Sequence, residues 1–353
     1  MDIPLRSVAA AAGVLLLAAA GTVLTGCRSE HLEYRSGNRS YDRQIGELLA
    51  LLEQERGGAD QRFMIVQEIS KTLRAAGAPR RQLMFLATYV ETHPADPYNA
   101  YYLMAVAEGY RDLGQNPLAA HYYERILRNY TDAAVRGRSI HLTALGELIV
   151  LEQDPQRLVG LYKDLIGRFG DAIDLGRSHF FLGRAYEALG EWEQAVAAYQ
   201  VYLQHDDAEI PGFPNGRREV LGKVNIHFSD KSWVMDDLNV LVDELKRAVA
   251  LRDRRALQRL RSKAGFFAMS WEQQVADETS SPVFDLSAFS LSKVRFDDAF
   301  DADSNADEAF IRTTGWSYRV KTWYLYFRRV DFKADPDVDG GWEWAGIFLG
   351  EKR

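Results

Sequence analysis

Cysteine is almost absent from the 353-residue chain: a single residue, Cys27, excludes an internal disulfide framework and a cysteine-based zinc site. An excess of basic charge is also lacking, since 43 Lys and Arg face 50 Asp and Glu for a formal charge of −7. That balance argues against a bulk basic surface for duplex nucleic acid. Only one long uncharged run exists, at the N-terminus, so a many-pass membrane protein is excluded. The 47% hydrophobic and 26% charged content excludes a disordered or collagen-like chain. Catalytic spacings are missing as well: there is no Gly-x-Ser-x-Gly elbow, His-Glu-x-x-His pair, phosphate-binding glycine loop or dinucleotide fingerprint. The seven histidines form no triad-like or metal-like cluster in the sequence. The expectation is a protein that is not an enzyme and needs no cofactor.

What is present begins at the N-terminus. Arg6 precedes Val8–Gly26, nineteen residues without a charge, which end in Leu24-Thr25-Gly26-Cys27. A basic start followed by an apolar core reads as a secretory signal. Its end resembles the lipobox of bacterial lipoproteins, and the resemblance implies cleavage after residue 26 and acylation of Cys27. The competing reading is an uncleaved span, because nineteen uncharged residues nearly cross a hydrocarbon core of ~30 Å. Arg28 stands where an inner-membrane lipoprotein usually carries aspartate, so the resemblance implies a lipid anchor in the outer membrane facing the periplasm. Residues 27–41, rich in Ser, Gly and Asn, read as a lipidated tether.

Self-similarity dominates the next part. Leu182-Gly183-Arg184-Ala185-Tyr186, with Gly190, Trp192, Ala195 and Tyr199, recurs upstream as Val106-Ala107, Tyr110, Gly114, Ala119 and Tyr123. It recurs again as Leu145-Gly146, Ile149, Leu158 and Tyr162, and more weakly as Ile69-Ser70, Leu73, Gly77 and Leu86. The pattern resembles the tetratricopeptide repeat, in which a small residue lets two helices touch and aromatic knobs follow at helical spacing. Four helix pairs are expected at about 63–96, 100–133, 139–172 and 176–209, with Tyr41–Arg56 as a leading helix. Anchor aromatics at 123, 162 and 199 are spaced by 39 and 37, which implies lengthened second helices or loops. In the third pair Asp154-Pro155 replaces the turn glycine. Fourteen of seventeen tyrosines precede residue 210, as expected for interhelix packing. Stacked pairs form a superhelix whose concave face is lined by first helices. The resemblance places Lys71, Arg74, Tyr101, Glu108, Arg111, Glu147, Arg177, Arg184 and Glu187 on that face. A tyrosine among mixed charges suits a protein or peptide partner. The bland reading of each is a solvated helix face.

Composition shifts at Ile210-Pro211-Gly212-Phe213-Pro214-Asn215-Gly216, and six of seven tryptophans and twelve of seventeen phenylalanines lie from residue 210 onward. A domain boundary is expected there. The fold class is therefore mainly α: a signal at 1–26, a tether at 27–41, a helical-repeat solenoid at 42–209 and an α+β domain with an antiparallel sheet at 210–353. Asp236–Lys263 reads as helix, broken near Arg252–Arg254. Strands are expected at Val283–Phe289, Lys293–Phe296, Ala309–Tyr318, Arg319–Phe332 and Gly341–Gly350, with Trp323-Tyr324-Leu325-Tyr326-Phe327 central because both its faces are apolar.

Three features of this domain suggest chemistry. Residues 246–263 hold eight bases against Asp253 alone, which suits anionic lipid, cell-wall polymer or an acidic partner, with counter-charge available at Asp297–Glu308. Asp335-x-Asp337-x-Asp339-Gly340 and Asp301-x-Asp303-x-Asn305-x-Asp307 match the first half of a calcium loop, but Gly346 and Arg312 stand at the closing position, so no metal is expected. Trp342 and Trp344, with Trp316 and Trp323, offer a stacking platform for glycan, against the ordinary reading of core packing. The leading expectation is a membrane-anchored periplasmic scaffold that holds an envelope protein in its repeat groove, in envelope assembly or as a transporter accessory. The alternative is an envelope lipoprotein whose C-terminal sheet binds a ligand or glycan.

Overall fold

The computed structural model describes residues 32–135, 137–206, 208, 210–272 and 291–352. The expected strand at 283–289, and the segment around Cys27, lie outside the described residues. The chain divides into two compact units between Ala172 and Ile173.

In the first unit, α1 (Arg39–Gln54) starts where the Asn38 side chain accepts from the Ser40 N–H. Three antiparallel pairs follow: α2 (Ala59–Ala75) with α3 (Pro79–Thr92), α4 (Asn99–Asp112) with α5 (Asn116–Asn129), and α6 (Ile140–Leu151) with α7 (Pro155–Phe169). Proline opens three of these helices at or next to their first position, where its missing N–H has no intrahelical role. Gly77 and Gly114 close α2 and α4 at φ of +70° and +71°. The third pair turns on Asp154, whose side chain caps the Gln156 N–H ahead of Pro155, as its sequence implies. The lengthened interval from Tyr123 to Tyr162 lies in a connection, not in a longer helix: a two-residue hairpin, β1 (Ala134–Val135) with β2 (Arg138–Ser139), separates α5 from α6. The core contains Val66, Ile69, Leu73, Leu103, Val106, Ala107, Ala119, Tyr123, Ile126 and Ala144, each with no exposed surface. Burial of each larger side chain contributes roughly 1.5–3 kcal/mol.

The second unit opens with the fourth pair, α8 (Leu175–Ala188) and α9 (Trp192–Leu203). A third helix, α10 (Gly216–Phe228), packs on α9. The compositional break at 210–216 is thus a tight link into another stacked helix, closed by Phe213 N–H to Ile210 O and Gly216 N–H to Phe213 O. After β3 (Val234–Met235) come α11 (Leu238–Ala250) and α12 (Arg254–Leu260), interrupted at 251–253 where the break was expected.

β4 (Phe267–Ser270), β5 (Arg295–Phe296), β6 (Glu308–Thr314), β7 (Thr322–Arg329) and β8 (Trp342–Leu349) complete a six-stranded sheet in the order β3-β8-β7-β6-β5. β5 through β8 are antiparallel. β3 runs antiparallel and β4 parallel along the other edge of β8. Neither β3 nor β4 was expected, because two and four residues carry too little alternation to register. β6 ends at Thr314, short of Tyr318, because Gly315 turns to φ +87° at a point where a Cβ would fall 2.0 Å from the Lys293 carbonyl oxygen. β7 is central and buried on both faces, as its aromatic run implies. Trp323, Leu325 and Phe327 pack with Leu241, Leu245 and Leu257 of α11 and α12. On the other face Tyr324 and Tyr326 meet Phe310, Phe348, Phe267 and Trp271.

Candidate partner-binding face

The small residue of each first helix meets a different environment: Ser70 accepts from Gln82 Nε2 of the paired helix, Ala107 is fully buried, Gly183 lies against Tyr199 of its partner, and Gly146 has open space around it. At Gly183 an added Cβ would sit 2.4 Å from the Tyr199 ring, so only hydrogen fits. Seven of the nine expected face residues fall one or four positions after these small residues, and Tyr101 and Arg177 fall six before Ala107 and Gly183.

In the first unit the structure joins three of them. Arg111 of α4 donates from Nη1 to Glu147 Oε2 of α6 at 2.6 Å. That hydrogen bond, with the Glu147 charge, holds the guanidinium above its ordinary pKa. Glu108 lies beside this pair and its carboxyl is pushed up, first by burial and then by the Glu147 and Asp112 charges, against the pull of Arg111 and Arg74. Water reaches Glu108, yet protein surrounds it closely enough to disfavour its charge. Beneath them Tyr123 is fully buried and its hydroxyl has no protein partner among the described residues. Val150, four positions after Gly146, is 78% exposed.

The remaining first-unit residues make their own contacts outside that trio. Lys71 pairs with Glu68 on its own helix at 3.6 Å. Arg74 reaches Gln82 of α3 at 3.4 Å. Tyr101 is half-buried and packs edge-on against Phe63 at 5.4 Å, so part of its ring belongs to the interhelix stack.

In the second unit Glu187 is not open to a partner. It accepts from the Tyr199 hydroxyl at 2.5 Å and from Lys223 Nζ of α10 at 2.7 Å. Lys223 also pairs with Glu219 at 2.8 Å. Arg184 lies over the Phe213 ring at 4.6 Å, and Arg177 over Phe181 at 5.9 Å; both are exposed. Sequence reasoning missed Lys223 and Phe213. The signal for Lys223 was available, since Leu221-Gly222-Lys223 repeats Leu182-Gly183-Arg184 after 39 residues. Arg111–Glu147 and Glu187–Lys223 are the same contact with its polarity reversed: position four of one first helix to position one of the next.

The features expected of the C-terminal domain resolve differently. Trp316, Trp323, Trp342 and Trp344 are 2%, 1%, 5% and 0% exposed, so the stacking platform is corrected to core. Both acidic loops hold their carboxylates in turns and ion pairs. Asp335 accepts from the Asp337 N–H and meets Lys231 at 3.1 Å, and Asp339 accepts from the Phe332 N–H. Asp301 accepts from Lys352 at 2.8 Å, and Asp303 also binds Lys352. Among the described residues no three His, Cys, Asp or Glu side chains converge on a metal position. The acidic stretch at 297–308 pairs with Arg312 and Lys352, not with the basic helices.

Stacked helix pairs with a recurring interhelix packing pattern define a helical-repeat protein with a C-terminal antiparallel sheet. The tetratricopeptide repeat family matches residues 178–209, which span most of α8 and all of α9. No curated protein matches the chain. Three solved structures of MamA, one of them a double mutant, are similar to it at 17%, 17% and 15% identity. They cover 56%, 57% and 61% of this chain and 92%, 98% and 97% of their own, with TM-scores of 0.30, 0.32 and 0.30. At those scores the likeness carries no argument.

Proposed function

We propose that the chain is a cell-envelope scaffold, held to the outer membrane by acyl chains on Cys27, whose first-helix face takes a protein partner on the periplasmic side. The observation that carries the reading is the Arg111–Glu147 ion pair between successive first helices, with Glu108 exposed beside it and Val150 exposed on the same helix as Glu147. Charged groups that are already oriented by one another lose little entropy when a partner's polar groups join them. The repeat match supports a protein as that partner. The glycan-binding alternative loses the four tryptophans on which it rested.

A photo-crosslinking residue at Val150 in cells producing the chain tests the face. A discrete protein adduct is expected. The Arg111→Glu, Glu147→Arg double variant keeps an ion pair but swaps its ends, and it should lose the adduct while staying folded. An adduct unchanged by the swap refutes the face. The anchor is read separately: Cys27→Ser should abolish incorporation of labelled palmitate, and retained label refutes acylation at Cys27.

A further inference from the structure

Four helices of the chain end in the same way, and one of them breaks the rule the others keep. After α2, α4 and α8 the chain turns through Gly77, Gly114 and Gly190 at φ of +70°, +71° and +74°. The glycine N–H bonds the carbonyl three residues back and the next N–H reaches the carbonyl five back, as in Ala78 to Leu73, Gln115 to Tyr110 and Glu191 to Tyr186. After α11 the bonds are the same, Arg252 N–H to Val249 O and Asp253 N–H to Ala248 O, but the residue is Arg252 at φ +56°. Glycine dominates this position because a Cβ is strained there. Among the described residues the other non-glycine residue at positive φ, Lys231, has its ammonium engaged by Asp335 at 3.1 Å. The Arg252 guanidinium has no ion pair or hydrogen bond among the described residues, and its side chain is exposed.

Its surroundings are basic and partly apolar. Arg255 and Arg259 are likewise exposed and make no ion-pair contact among the described residues, although the Arg259 charge, behind the Ser232 hydrogen bonds, helps hold the Asp230 carboxyl below its ordinary pKa. Lys246 and Arg247 are offset by Asp243 and Glu244 on the same helix, and Asp253 caps the Ala256 N–H. Leu251, immediately before Arg252, is 72% exposed. A cleft of about 200 Å³ adjoins the turn, lined by Lys246 and Arg252 with Val249, Leu291, Val294 and Phe296. The acidic stretch that would neutralise these cations is paired with Arg312 and Lys352 instead.

We propose that the turn at Leu251–Asp253 docks on an anionic lipid surface, with Arg252, Arg255 and Arg259 on the headgroup phosphates and Leu251 entering the boundary between headgroups and acyl chains. Guanidinium groups are weakly hydrated and match phosphate geometry. A lone exposed leucine set among cations suits an interface in which apolar surface and anionic charge lie a few ångströms apart. An acidic protein would satisfy the arginines but leave Leu251 unexplained. This inference does not depend on acylation at Cys27, and its test removes that thiol.

The full chain carrying Cys27→Ser and Leu251→Cys, labelled at its one thiol with an environment-sensitive fluorophore, is titrated with phosphatidylcholine vesicles with and without phosphatidylglycerol. Any partition of residues 8–26 is common to both, so the difference between the two is the readout. A blue shift is expected only with phosphatidylglycerol, and it should fade with salt. Arg252→Gly relieves the backbone, so it should raise the unfolding temperature by about 2–4 °C while weakening vesicle binding about fivefold. Adding Arg255→Gln and Arg259→Gln should bring the loss to about a hundredfold. An unmoved label, an equal shift on neutral vesicles, or full affinity in the triple variant overturns the proposal. Binding to soluble polyglutamate without binding to vesicles overturns it too, in favour of an acidic protein.

Discussion

Replacing Gly183 by alanine should destabilise the second unit, whereas the same change at Gly146, its counterpart in the preceding repeat, should stabilise the first. Both glycines lie in helix interiors after a leucine, and alanine there gains about 1 kcal/mol in helix propensity. They differ in what the new methyl meets. At Gly146 nothing lies within 4 Å, so the propensity gain stands alone. At Gly183 the methyl would fall 2.4 Å and 2.5 Å from two carbons of the Tyr199 ring, which is fully buried and fixed by its hydroxyl to Glu187. Overpacking costs typically 1–3 kcal/mol. The close approach to a held ring places the cost near the upper end, leaving a net loss of about 2 kcal/mol. All seven tryptophans lie beyond residue 190, so their fluorescence in a urea titration reads the second unit alone. Far-UV circular dichroism reads the helices of the first unit as well. The Gly183→Ala midpoint should fall and the Gly146→Ala midpoint should rise. Two midpoints moving together in the stabilising direction would refute the close helix contact at Gly183.

Two further outcomes are expected. Glu187→Gln and Lys223→Met should each lower the second unit's stability by about 1–2 kcal/mol, since the pair is 30% and 19% exposed and only partly screened. A double-mutant cycle should show positive coupling, and strict additivity would mean that the contact contributes nothing. Asp301 is held below the ordinary carboxylate pKa, first by the hydrogen bond from Lys352 and then by the Asp303 N–H. Its folded pKa is depressed, so its contribution is fully present above about pH 4 and is lost as pH falls through the folded value. The urea midpoint should therefore drop below about pH 4, and less so in Asp301→Asn. An identical pH profile in the variant would show that the Lys352 bond does not form in solution.

The repeats were legible because each first helix carries a small residue and each second helix a large apolar or aromatic one sixteen positions on, at Leu86, Tyr123, Tyr162 and Tyr199, and that spacing is fixed. The turn at Asp154-Pro155 was legible for a local reason, since Asp capping acts within a few residues, and Asp253 caps α12 in the same way after the break near Arg252. Other features were hidden. α10 lies behind a proline- and glycine-rich link, and its Leu221-Gly222 signal comes without the downstream aromatic of the other repeats. β3 and β4 are strands only because β8 offers them an edge. Trp342 and Trp344 share the alternation of an exposed platform and of a core, and no spacing distinguishes the two.

Charge shows the division most plainly. The sequence by itself determined which residues carry charge on each first helix, and that residues 246–263 are overwhelmingly basic. Only the tertiary structure decided which charges neutralise one another. Glu187 meets Lys223 thirty-six residues away, Asp301 meets Lys352 fifty-one away, and Arg252, Arg255 and Arg259 are left without such a partner among the described residues. Helical periodicity acts over a few residues, but an ion pair depends on a separation of about 3–4 Å, and chain folding sets that distance without regard to sequence separation.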